Sequence, residues 1–151
     1  MRDPDVPGDF VDSYLLYLLA AASDKASAEF HAKVRQSGLR VIEWRVLAVL
    51  VDRDGAMITR LAEYAMIEQS RLTRIVAQMD ERGFVSRKSD VDDGRRVRVF
   101  LTNKGRRTGL ALIEDAKLHE DELLASLGGQ MAGKLKPALR ALLSSLNERA
   151  S

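Results

Sequence analysis

The side chains best equipped for chemistry in this sequence are hydrogen-bond donors. Gln69, Ser70, Arg71, Thr73 and Arg74 crowd one short stretch, and Arg87, Lys88, Arg95, Arg96 and Arg98 follow it, with Asp93 among them. An arginine fork can grip a phosphate or a guanine edge with two bonds, glutamine suits adenine, and hydroxyls reach either. The chemistry on offer is recognition of a polyanion. Groups for bond-breaking are scattered instead. His31 and His119 stand far apart without metal-ligand spacing, and the adjacent pairs Asp92-Asp93 and Asp121-Glu122 read as turn or surface charge. No phosphate loop, nucleophile elbow or dinucleotide fingerprint occurs. Cysteine is absent, which removes disulfides, thiolate metal sites, thiol sensing and a Cys nucleophile together. A protein that is not an enzyme, without metal or cofactor, is the expectation.

The net charge of +2 acquires meaning when it is located. Residues 68–107 hold eleven basic and six acidic side chains, while the rest of the chain holds thirteen basic and sixteen acidic. A chain polarised in this way turns one face toward a polyanion. An accidental cluster on a solvated surface would account for the charge equally well. The elements that carry these residues must decide.

From Asp9 to Gln36, the residues Phe10, Tyr14, Leu18, Ala22, Ala26, Phe30 and Val34 recur every three or four positions. That spacing predicts one long amphipathic helix, ended by Gly38. A second, densely apolar helix spans Leu39 to Asp52, and the Asp54-Gly55 turn breaks it. The short "TRLAEYA" helix follows, with Thr59 as its expected N-cap. Between Gln69 and Arg82 a helix buries Leu72, Ile75, Val76 and Met79 on one stripe and stops at Gly83. "FVSRK" and "VRVFLT" read as strands of a hairpin turning at Asp93-Gly94. A long helix should run from Asn103 to about Leu127, and a last one from Met131 to Arg149, where Pro137 predicts a kink or a delayed start.

Two short helices followed by a basic hairpin make a winged helix-turn-helix. Along the second strand Val97, Val99 and Leu101 share the face that packs on the helices, so Arg96 and Arg98 project the other way, with Arg95 at the turn. Such an arm fits a narrow, electronegative minor groove; Asp93 can steady Arg95, and Arg87 and Lys88 add phosphate contacts. The expected fold is mainly α with a small β-hairpin wing, residues 39–103 forming the lobe. The flanking helices, 1–38 and 104–151, have no place inside that lobe. Burying their apolar faces against a second copy makes them dimerisation helices, the alternative being a monomer that folds them back on itself.

The stretch "ITRLAEYAMIEQSRLTRIVAQMDERGFVSRKSDVDDGRRVRVFLTNKG", Ile58 to Gly105, resembles the DNA-binding core of the MarR family of bacterial transcriptional regulators. Its most specific part is Asp93-x-Arg95 followed by Leu101-Thr102, and "WRVLAVL" (Trp44 to Leu50) is similar to the family's second helix. The resemblance implies a homodimer on a pseudo-palindromic double-stranded operator, with residues 70–74 in the major groove and Arg95 in the minor groove. It also implies a repressor released by a small molecule such as an aromatic acid, for which Tyr17, Trp44 and Arg45 are the candidate pocket residues. Arg40 stands where the family commonly has a Ser or Thr cap. The rival reading is a winged helix used only for protein–protein contact, against which Arg95 and Arg96 at the hairpin tip argue. No apolar run approaches a membrane span, and the opening "MRDPDVPGDF" is acidic rather than signal-like, so a cytoplasmic location is expected.

Overall fold

In the computed structural model, which describes residues 10–151, the chain divides into two compact units, Met1–Glu114 and Asp115–Ser151. Expectations for residues 1–9, a missing leader and a helix starting at Asp9, lie outside the described residues.

The first unit opens with α1 (Phe10–Ser13) and α2 (Leu15–Gln36), so the single long helix expected here is interrupted. Tyr14 is extended (φ −74°, ψ 120°) between them. The Ser13 hydroxyl bonds back to the Phe10 carbonyl at 3.3 Å, a local bond that competes with helix continuation. Gly38, at φ +83°, ends α2 as expected. Helix α3 (Val41–Asp52) starts without a Ser or Thr cap, because Glu43 reaches back to accept the Arg40 N–H at 2.8 Å. That is the reciprocal half of a capping box.

Beyond α3, Gly55 (φ +82°) donates its N–H to the Val99 carbonyl at 2.9 Å, and the Phe100 ring occupies the space a Cβ would need. This turn delivers a two-residue strand, β1 (Ala56–Met57), which the sequence reading did not anticipate. β1 fixes extended backbone up to Met57, so α4 (Ile58–Ala65) starts directly after it with Met57 at the cap position. Thr59 therefore lies inside the first turn and does not cap it. Met66 then takes a left-handed conformation (φ 57°) and turns the chain into α5 (Gln69–Glu81).

The expected stripe of α5 forms: Leu72, Ile75, Val76 and Met79 are all buried. Each such burial contributes about 1.5–3 kcal/mol. Leu47, Leu50, Leu61 and Val99 are buried as well, and α5 packs on α3, α4 and β2. Strands β2 (Val85–Ser89) and β3 (Val97–Leu101) pair antiparallel with Arg87 opposite Val99 and Lys88 opposite Arg98, giving the sheet order β1-β3-β2. Thr102 caps α6 (Asn103–Ala125), accepting the Gly105 N–H at 3.0 Å while donating to the Gly83 carbonyl at 2.6 Å. The Leu-Thr of the hairpin motif thus joins wing to helix.

The second unit holds the end of α6 and α7 (Gly129–Ala150). Helix α7 starts at Gly129, so Pro137 does not delay it. Lys136 is paired with Glu120 at 2.7 Å, but α7 buries none of its residues, leaving Met131, Leu135, Leu143 and Leu146 exposed.

Candidate nucleic-acid interface

Helix α5 turns Gln69, Ser70, Arg71, Thr73 and Arg74 outward because its other side is consumed by the core stripe. Ser70 Oγ donates to Glu68 Oε1 at 2.9 Å, and Thr73 Oγ1 donates to the Gln69 carbonyl at 2.9 Å, so both hydroxyls retain acceptor capacity. Gln69 and Thr73 line a cleft of about 500 Å³ together with Met57, Ile58 and Thr59 on one wall and Arg95, Arg96 and Val97 on the other. Helix α5 and the hairpin tip thus face one shared space. Thr59 joins this set although the sequence reading gave it only a capping role; its place beside β1 brings it there.

The wing arginines divide into two kinds. Arg95 is 97% exposed, with its guanidinium a loose 4.0 Å from Asp93, whose carboxylate instead accepts the Arg95 backbone N–H at 3.1 Å. Arg96 is exposed as well, 3.6 Å from Asp93. Asp93 therefore shapes the turn more than it clamps either side chain. Arg98 behaves differently from the expectation that it projects outward. Its guanidinium folds back to Asp90 at 2.7 Å and to the Gly55 carbonyl at 3.0 Å, joining the hairpin to the β1 turn. The bond from Arg98 holds the Asp90 carboxyl below its usual pKa. Arg87 is bound to Asp80 at 3.0 Å, while Lys88 is exposed over the Phe100 ring.

The expected effector residues are not gathered in one place. Trp44 stands edge-on to Phe30 at 5.3 Å, and Tyr17 is exposed on α2. Arg45 donates to the Ala65 carbonyl at 3.2 Å and lines a separate cleft of about 400 Å³ with His31, Arg35 and Asp24. There burial, then Arg45 and Arg35, lower the His31 pKa against the opposing pull of Asp24. The place of His31 in this cleft is not legible in the sequence, since a lone helical histidine carries no signal of neighbours brought in by another helix. Among the described residues no cluster of His, Cys, Asp or Glu is placed to hold a metal ion, and no helix is long and apolar enough to cross a membrane.

Comparison with known proteins places this geometry among relatives. The MarR family model matches residues 37–96. A crystal structure of the MarR family transcriptional regulator SPO1453 from Silicibacter pomeroyi DSS-3 is 53% identical, with a TM-score of 0.84 over 92% of this chain and 99% of that one. The HTH-type transcriptional regulator TtmR of Methylorubrum extorquens is 29% identical over 90% of this chain, which spans 65% of that relative's length. The homoprotocatechuate degradative operon repressor of Escherichia coli is 27% identical over 87% of this chain and 86% of its own.

Proposed function

The chain belongs to the MarR family of winged helix-turn-helix transcriptional regulators, and from that premise we propose that it binds an operator in double-stranded DNA as a homodimer and represses transcription. The observation that carries this reading is the shared cleft, where Gln69 and Thr73 of the recognition helix face Arg95 and Arg96 of the wing. The helix supplies donors for base edges in the major groove, and the exposed arginines suit the adjoining backbone and minor groove. Arg71 and Arg74 extend the same exposed surface.

A single winged helix reads too little sequence for specificity, and two recognition helices about 34–36 Å apart read successive major grooves. Exposed apolar residues support pairing: Phe10, Leu15, Leu16 and Leu18 in the first unit, and Leu143 and Leu146 in the second. Apolar residues that follow one another along a helix and stay open to solvent, as Leu15, Leu16 and Leu18 do on α2, mark a contact surface. Release by an acidic small molecule is supported by Arg45, His31 and Arg35 around their cleft. The named relative that represses an aromatic-degradation operon agrees with that choice of chemistry.

The test is selection of a preferred duplex from a random pool, followed by binding at two salt concentrations and size-exclusion chromatography. A dimer whose affinity falls steeply with salt is the expected result. Binding indifferent to salt, or no selected sequence, would reject it in favour of a protein-contact module. A thermal-shift screen of aromatic acids, with Arg45→Ala as control, tests the effector reading.

A further inference from the structure

Glu43 is a fully buried carboxylate on α3 that joins Arg40, the cap residue of its own helix, to Arg82, which follows α5. Glu43 Oε2 accepts from Arg82 Nη1 at 2.8 Å, and Oε1 accepts the Arg40 N–H at 2.8 Å with the Arg40 guanidinium 3.4 Å away. Arg82 is the residue immediately after α5. Its second terminal nitrogen donates to the Gly38 carbonyl at 3.0 Å, just past α2, and Lys104 of α6 donates to the Arg82 carbonyl at 3.0 Å. One turn earlier, Gln78 of α5 accepts from Arg40 at 2.5 Å. The last turn of α5 is therefore held at two points by the segment joining α2 to α3, and again from α6.

Burying a carboxylate is costly, and an apolar pair of similar size packs as well or better. Stability alone does not account for Glu43. What the ion pair adds is direction. An apolar contact lets a helix end slide, whereas two charge-assisted bonds at 2.8–3.0 Å fix both where Arg82 sits and how α5 is rotated. Rotation matters on a recognition helix, since a shift of about 1 Å takes a side chain out of reach of its base edge.

We propose that Glu43 and Arg82 form a positioning clasp that sets the angle of the recognition helix, and so sequence preference, without themselves touching DNA. This inference rests on the DNA-binding reading and deepens it. The experiment uses the full-length protein and two duplexes, the one selected from the random pool and a random duplex. Both are measured for the parent, Glu43→Gln, Arg82→Lys and the double variant E43M/R82M. The double variant removes both charges together, so it leaves no orphaned carboxylate and no change in net charge.

The expected result is a fall of about tenfold or more in the ratio of selected-duplex to random-duplex affinity for E43M/R82M. Its melting temperature falls by no more than the lost cap on the Arg40 N–H accounts for, about 2–4 °C, and its salt slope on random duplex is unchanged. Glu43→Gln and Arg82→Lys should lose part of the ratio, Arg82→Lys the less. An unaltered ratio in the folded double variant overturns the proposal. So does a salt slope that drops by about one per protomer, because Arg82 would then be a phosphate contact. Melting of the double variant further below the parent than the lost α3 cap accounts for also counts against it, since the pair would then be a support of the fold. A parent that binds neither duplex would sink the DNA-binding reading itself, a result distinct from all of these.

Discussion

Replacing Arg95 by alanine should separate the DNA-facing charge of the wing from the charge that builds it. The side chain is 97% exposed and lies 4.0 Å from its only ion-pair partner among the described residues, Asp93. An exposed pair of this kind contributes about 0–1 kcal/mol to folding, so the melting temperature should hardly move. On DNA the loss is larger. A charge-assisted bond is worth about 1.5–3 kcal/mol, which is roughly ten- to a hundredfold in affinity for each wing engaged. Each lost ionic contact also removes about 0.9 from the slope of log K against log salt, or nearly two for a dimer using both wings.

Arg98→Ala is the decisive control, because it deletes the same charge three residues along the same hairpin. Its guanidinium is bound to Asp90 and the Gly55 carbonyl, so it has little left for a phosphate. The expected signature is reversed: a lower melting temperature and a slope close to the parent's. Fluorescence anisotropy with a labelled duplex at several salt concentrations, beside thermal melts, reads both quantities. If Arg98→Ala flattens the salt dependence as much as Arg95→Ala, the division of roles drawn from the geometry is wrong.

Other perturbations probe the scaffold. A Cβ at Gly105 would lie 2.0 Å from the Phe84 carbonyl oxygen, so Gly105→Ala should cost about 2 kcal/mol or more and lower the melting temperature. Met66 is 76% exposed in a left-handed turn, and Met66→Gly should stabilise by about 1 kcal/mol in denaturant titration; destabilisation would mean its side chain matters more than its backbone. The lowered pKa of His31 means that the fold favours neutral imidazole. Its contribution to stability is complete above the ordinary value of 6.5 and is lost as pH falls from there toward the folded value, because the unfolded chain takes up the proton first. His31→Asn should flatten the fall in melting temperature on acidification, whereas parallel curves for variant and parent would contradict this.

Periodic features were legible in the sequence and pairwise ones were not. Leu72, Ile75, Val76 and Met79 announce their face because a helix repeats its burial every 3.6 residues, and the alternation from Val97 to Leu101 sets the hairpin register. β1 is two residues long and has no period to detect. The strand alternation also misled at Arg98: it gives the face from which a side chain leaves, but not where a long arginine ends. That depends on Asp90, eight residues away across the hairpin. The Glu43–Arg82 pair spans 39 positions and exists only once α3 and α5 have packed.

Those pairings alter what the basic composition of residues 68–107 means. Of its eleven basic side chains, Arg82, Arg87, Arg98 and Arg106 are bound to Glu43, Asp80, Asp90 and Asp54, and Lys104 donates to the Arg82 carbonyl. Arg71, Arg74, Lys88, Arg95, Arg96 and Arg107 remain outside that set. If every one of the eleven met a phosphate, a dimer would show a salt slope of magnitude about 20; with only the remaining six the ceiling is about 11. A measured slope well above that ceiling, with no basic residue outside 68–107 contributing, would require the internal ion pairs to open on binding. Hydrogen exchange of the β2–β3 amides with and without DNA would then show the wing loosening in the complex rather than tightening.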